Sequence, residues 1–296
     1  MNDFWIILTG ALVAGTCSIL GVFLILRKMA MVGDAISHSV LPGIVIAFLI
    51  SGSRDSLVML LGAAVLGLVT VFLIQLFKNS GVQSDASIGV VFTSLFAIGV
   101  VLVSSYTRQI DLDLDCVLYG EIAFIPFHDL TVLGISMPKA VWGLGLSLLL
   151  TVIVVGLFYK QFKICSFDPA LAAAVGIPVA LFHYLLMGLV SVSTVASFES
   201  VGAILVVGML VIPAATAYLL TDKLSVMMVY SVLTGVTSAV LGYYVAFWLD
   251  ASIAGCMVTV AGILFVVAFL FSPTHGIVSR HFIRKREMRN LQQPVA

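Results

Sequence analysis

The chain has 296 residues, 61% of them hydrophobic and only 9% charged, with zero formal net charge and a mean hydropathy of +1.22. A soluble domain carries roughly 45–50% apolar residues, so the composition excludes that class and describes a polytopic membrane protein. With no basic excess, nucleic acid is not an expected partner.

A helical span needs about 20 apolar residues. Nine stretches qualify: Phe4 to Leu26, Met31 to Ile50, Ser56 to Phe77, Ser87 to Ser105, Ala140 to Tyr159, Val179 to Ala196, Val201 to Leu220, Leu224 to Leu249 and Ile253 to Phe271. The expected fold is therefore all-α, a polytopic transmembrane bundle of nine spans forming one domain over 1–296. The first run has no basic residues ahead of it and is longer than a signal-peptide core, so it reads as an uncleaved span. The second contains Asp34, His38 and Pro42. It can be a broken or re-entrant helix, which would leave eight spans.

Within that second span, Asp34 and His38 are four residues apart. On a helix this spacing puts both on one face with Cβ atoms roughly 5–6 Å apart, close enough to share a cation. Ionisable groups in lipid cost about 2.5–3.5 kcal/mol each on insertion scales and mark function by default. The competing reading has Asp34 capping the helix after Gly33 and His38 hydrogen-bonded inside the bundle. Small residues four apart, Ala11 with Gly15 and Ala63 with Gly67, allow close helix approach.

Cytoplasmic loops collect Lys and Arg. With the N-terminus outside, nine spans put eleven of the fourteen basic residues inside and only Arg54, Arg108 and Lys139 outside. The C-terminus is then cytoplasmic, with a basic tail over 280–296 suited to anionic lipid. The same topology makes the loop carrying Asp111, Asp113, Asp115 and Glu121 external and acidic. Cys17, Cys116, Cys165 and Cys256 show no metal or disulfide spacing and read as packing residues.

The internal stretch Cys165 to Pro178 has a short helix with both ends encoded. Asp168 suits the N-cap, Pro169 the first position, the run through Ala172 the body and Gly176 a left-handed C′ residue, while Pro178 stops continuation. Such a helix is too short to be stable alone, so it docks on something. Its place points to a cytoplasmic protein; the alternative is a connector packed on its own bundle. His183 and Glu199 are weaker pathway candidates, since a histidine in an interior helix is more often a packing residue.

Taken together, RKMAMVGDAISHSVLPGIVIAF, DLDCVLYGEI, SFDPALAAAVGIP, SVGAILVVGMLVIPAATAYLL and FSPTHGI resemble the membrane permeases of bacterial ABC importers for manganese, zinc or iron. The resemblance covers nearly the whole chain and is most specific at GDAISHSVLPG. It implies an inner-membrane permease paired with a second copy or a paralogue. It also implies a cytoplasmic ATPase docked on the helix at 168–176, and an extracytoplasmic metal-binding protein meeting the acidic loop. Asp34 and His38 become the pathway site for a transported Mn, Zn or Fe ion, with no permanently bound cofactor. Carboxylate and imidazole accept all three ions. No G-x-x-x-x-G-K-[ST] loop is present, so ATP hydrolysis falls to another chain. The runner-up is a permease for a chelate such as a siderophore or corrinoid, which would want a wide pathway without a focused carboxylate–imidazole pair. An intramembrane enzyme is disfavoured by the lack of H-E-x-x-H or a facing catalytic set.

Overall fold

Apolar runs without water to satisfy their backbone groups can only close hydrogen bonds internally, and these runs do so as helices. The computed structural model describes residues 2–52, 56–106, 122–127, 129–132 and 135–272. In chain order the helices are α1 (Asn2–Leu26), α2 (Ala30–Ser39), α3 (Leu41–Ser51), α4 (Ser56–Asn79) and α5 (Ser84–Tyr106). A 3₁₀ turn at Ile122–Phe127 and strands β1 (Asp129–Val132) and β2 (Ile135–Pro138) follow. The chain continues as α6 (Lys139–Leu157), α7 (Tyr159–Phe167), α8 (Pro169–Ala174), α9 (Val179–Leu220), α10 (Leu224–Leu249) and α11 (Ile253–Phe271).

Among the described residues, nine helical stretches are long and apolar enough to cross a membrane, counting α2 with α3 as one and α9 as two. The helical class stands, with one addition. Before α6 the chain forms an antiparallel hairpin, Asp129 opposite Pro138 and Val132 opposite Ile135, where a purely helical fold was expected. The stretch is short and lies between apolar runs, so hydropathy alone gives it no element.

At 42 residues, α9 would extend about 63 Å if straight, twice the roughly 30 Å hydrocarbon core. It breaks at Gly202, whose φ of 77° and ψ of 169° are open to glycine almost alone. The two candidate spans are Val179–Phe198 and Ser200–Leu220, the second carrying the break at its start.

α1 is the hub, packed on α6, α9 and α10. Its Val13, Leu20, Phe23 and Leu24 are fully buried, as are Leu186, Met187, Leu205 and Met209 of α9. A second group joins α2 and α3 to α4 and α5. Of the two small-residue pairs, Gly67 is a true close approach, with no room for a Cβ against Ser191, whereas Gly15 meets Leu148 at an ordinary 3.5 Å. Cys17, Cys165 and Cys256 are free, the first two buried, as packing residues should be; Cys116 lies outside the described residues.

Candidate metal pathway and coupling site

The first candidate element begins where α1 ends. The Lys28 N–H donates to the Ile25 carbonyl and the Met29 N–H to the Leu24 carbonyl, each at 2.9 Å, with Lys28 at φ +57°. This pair of bonds is a Schellman turn whose left-handed position is held by a lysine. α2 then starts from Met29 without a side-chain cap. Asp34 is its fifth residue, so the reading of Asp34 as a helix cap fails.

Val32, Ala35, Ile36 and Ser39 bury one face of α2. Two residues on from Val32 and from Ile36, about 200° around the helix, Asp34 and His38 occupy the other face. His38 Nε2 lies 3.5 Å from Asp34 Oδ1, and the two side chains remain 30% and 42% exposed respectively. Two aromatic rings of α5 flank the imidazole: Phe92, tilted at 5.5 Å, and Phe96, edge-on at 6.0 Å. At about 1.5 Å per residue, Phe92 and Phe96 stand roughly 12 and 18 Å along α5 from Ser84, so His38 is level with the middle of that span. Asp34 sits one turn nearer the α1–α2 turn.

Pro42 explains the interruption between α2 and α3. It has no N–H to give the His38 carbonyl and crowds it, so the helix breaks at Val40 and the His38 main-chain oxygen loses its helical donor. The proline ring packs on Gly99 of α5, and Ser39 Oγ meets Thr70 Oγ1 of α4 at 2.8 Å. Both contacts fix α2 and α3 against their neighbours. The outcome is a carboxylate–imidazole pair on an anchored stretch of backbone, with one side of the pair exposed. Among the described residues no group of three or more His, Cys, Asp or Glu side chains gathers.

Of the weaker candidates, His183 does not join this pair. His183 lines a small pocket with Met29, Val32, Gln75 and Lys78, behind the opposite face of α2. The Lys78 ammonium in the same pocket makes it a poor place for a second cation. Glu199 lies in the helical segment just before Gly202; its side chain, and all of Asp111, Asp113, Asp115 and Glu121, lie outside the described residues.

The second candidate element matches its sequence closely. Asp168 Oδ1 accepts from the Leu171 N–H at 2.9 Å, and Pro169 opens α8. At the other end the Gly176 N–H bonds the Ala173 carbonyl at 3.0 Å and the Ile177 N–H the Ala172 carbonyl at 2.9 Å, with Gly176 at φ +86°. Ala172 is fully buried, while Leu171 and Val175 are 53% and 66% exposed, so an apolar face is offered outward. Pro178 both ends this segment and stands at the N-cap of α9.

α7 ties this segment to the bundle. Phe162 is fully buried, its ring 5.6 Å from both Phe23 of α1 and Phe182 of α9. Arg27 Nε donates to Ser166 Oγ at 3.1 Å, and burial pulls the guanidinium below its ordinary value. Sequence reading counts Arg27 only as a topological charge and does not single out Ser166, Phe92 or Phe96. A basic residue abutting a long apolar run, followed at once by a helix, is the one signal for Arg27.

A family model described as "ABC-3: ABC 3 transport family" matches residues 3–272. The chain is 55% identical over 279 residues to the "Manganese transport system membrane protein MntD" of Bacillus subtilis, covering 94% of this chain and 95% of that one. It is 40% identical to the "Zinc transport system membrane protein TroD" of Treponema pallidum, covering 95% of this chain and 77% of that one. Among solved structures it resembles "PsaBC from Streptococcus pneumoniae in complex with Fab" at a TM-score of 0.78 and 33% identity, over 95% of this chain and 94% of that one. A putative metal-chelate type ABC transporter in an inward-facing conformation is similar at a TM-score of 0.61 and 20% identity, a likeness of fold alone.

Proposed function

The chain belongs to the ABC 3 transport family, and from that premise we infer that it is the membrane permease of an ATP-driven importer for a divalent transition metal. Manganese is favoured by the relative at 55% identity, with zinc next. It is a transport subunit, with ATP hydrolysis on a partner chain. The observation that carries the reading is the Asp34–His38 pair, 3.5 Å apart and level with the middle of α5. Two protein ligands with open positions suit a site that must bind and then release. A focused pair of this kind does not suit a bulky chelate.

The exposed side of the pair is where a second permease copy or paralogue completes the shell. The N-terminus is extracytoplasmic and the C-terminal tail cytoplasmic, in a bacterial inner membrane. α8, capped by Asp168 and closed at Gly176, docks on the ATPase through Leu171 and Val175. The stretch with Asp111, Asp113, Asp115 and Glu121 meets an extracytoplasmic metal-binding protein.

The test is metal accumulation in cells, normalised to permease level. Asp34→Asn removes the charge and keeps the shape; His38→Leu removes the nitrogen ligand and keeps bulk. Both variants are expected to lose uptake while permease level holds, since both side chains are partly exposed and neither substitution opens a cavity in the packed face of α2. Uptake at the wild-type level in both would end the site assignment.

A further inference from the structure

We propose that Arg27 is a positioning residue that relays movement of α8 to the Asp34–His38 pair through its hydrogen bond to Ser166. This rests on the reading of α8 as the ATPase docking helix. Ser166 lies in the last turn of α7, two residues before the Asp168 cap, and Arg27 lies seven residues before Asp34. One bond of 3.1 Å therefore joins the entry to the docking helix with the entry to the helix carrying the pair.

The surroundings make that bond directional. Only Asp168 separates α7 from α8, so displacement of α8 displaces α7. The Phe162 ring, held between Phe23 and Phe182, is the pivot: it keeps α7 against α1 and α9 but, being apolar, grips no particular register. The guanidinium–hydroxyl bond supplies the register. On the other side of Arg27 the Schellman turn at Lys28 passes motion directly into α2, because two backbone bonds fix Lys28 and Met29 to the end of α1.

The choice of residue argues for more than packing. Arg27 is part-buried, its Nη2 has no hydrogen-bond partner among the described residues, and its partner through Nε is a neutral hydroxyl. A neutral side chain would hold the same turn at lower desolvation cost. A long cation that keeps spare donors can follow Ser166 through a change of α7 without letting go.

The test uses the full complex of permease and ATPase in proteoliposomes with the metal-binding protein, measuring manganese taken up and ATP hydrolysed. Ser166→Ala and Arg27→Gln should keep hydrolysis close to wild type while ions moved per ATP fall about five-fold or more, the lower end of ordinary coupling energies. Ser166→Thr, which keeps the hydroxyl, should restore the ratio. An unchanged ratio in both variants overturns the relay, as does a loss of uptake and hydrolysis in step with permease level. Where Arg27→Gln does not assemble, Ser166→Ala alone decides. Leu171→Asp separates the premise: it should abolish ATPase binding, and intact binding would overturn the docking reading and the relay with it, whereas lost binding with an unchanged Ser166→Ala ratio would overturn the relay alone.

Discussion

α2 and α8 are both short helices bounded by tight turns, and they are held in opposite ways. α8 has its ends written into its own residues: a carboxylate cap at Asp168, proline at the first position and glycine at the close. α2 has no side-chain cap, follows a turn with Lys28 in the left-handed region and stops where Pro42 breaks the ladder. The same two-bond turn closes α1 and α8, yet nothing lies within 4 Å of where a Gly176 side chain would begin, so glycine's own freedom sets that turn. At Lys28 the strain, about 1 kcal/mol or a little more for an L-residue, is offset by the packing and hydrogen bonds of its neighbours. The exposed α8 is self-sufficient, whereas α2, packed among its neighbours, borrows its order from the bundle.

The comparison breaks most visibly at Gly176. Gly176→Leu puts a branched side chain at φ +86°, and α8 should lose its closing turn and most of its ATPase binding while insertion is unaffected. Co-purification of the ATPase with the permease measures it, and wild-type recovery would mean that α8 does not rely on its own residues. Pro42→Ala comes next. It returns an N–H to the His38 carbonyl and straightens the α2–α3 junction, so uptake should fall several-fold with permease level unchanged. Wild-type uptake would show that the break does not shape the pair. Asp168→Ala removes one cap bond, about 0.5–2 kcal/mol, and should weaken ATPase binding less than the glycine change does. The smallest effect is expected from Lys28→Gly. Relief of strain and the added freedom of the unfolded chain are of similar size, so Tm should move by no more than about 2 °C. A large fall would reveal a role for the lysine side chain itself.

What was legible in the sequence follows the same division. α8 reads correctly to within a residue or two because its determinants are local: a cap, a proline, an alanine run and a glycine. The nine apolar stretches read correctly because length and hydropathy are also local, and the i, i+4 spacing puts Asp34 beside His38 for the same reason. The depth of the pair does not read from α2 itself, since counting residues from Lys28 leaves Asp34 near one end. Its level appears only when Phe92 and Phe96 on another helix supply the ruler. The Arg27–Ser166 contact joins residues 139 apart, and no local pattern announces it. Nor does hydropathy find the hairpin at Asp129–Pro138, whose strands are four residues each.

The level of His38 along α5 also has an electrical meaning. A divalent ion held midway has crossed about half of the transmembrane field, so a potential of 100 mV does roughly 2.3 kcal/mol of work on it, from about 2.3 kcal/mol per elementary charge for a full crossing. That is nearly a fifty-fold change in occupancy from one side. With the cell interior negative, the proposed loading from the extracytoplasmic side would be favoured before any ATP is spent. On the proposed site, metal loading in vesicles clamped at different diffusion potentials should therefore rise steeply with inside-negative voltage.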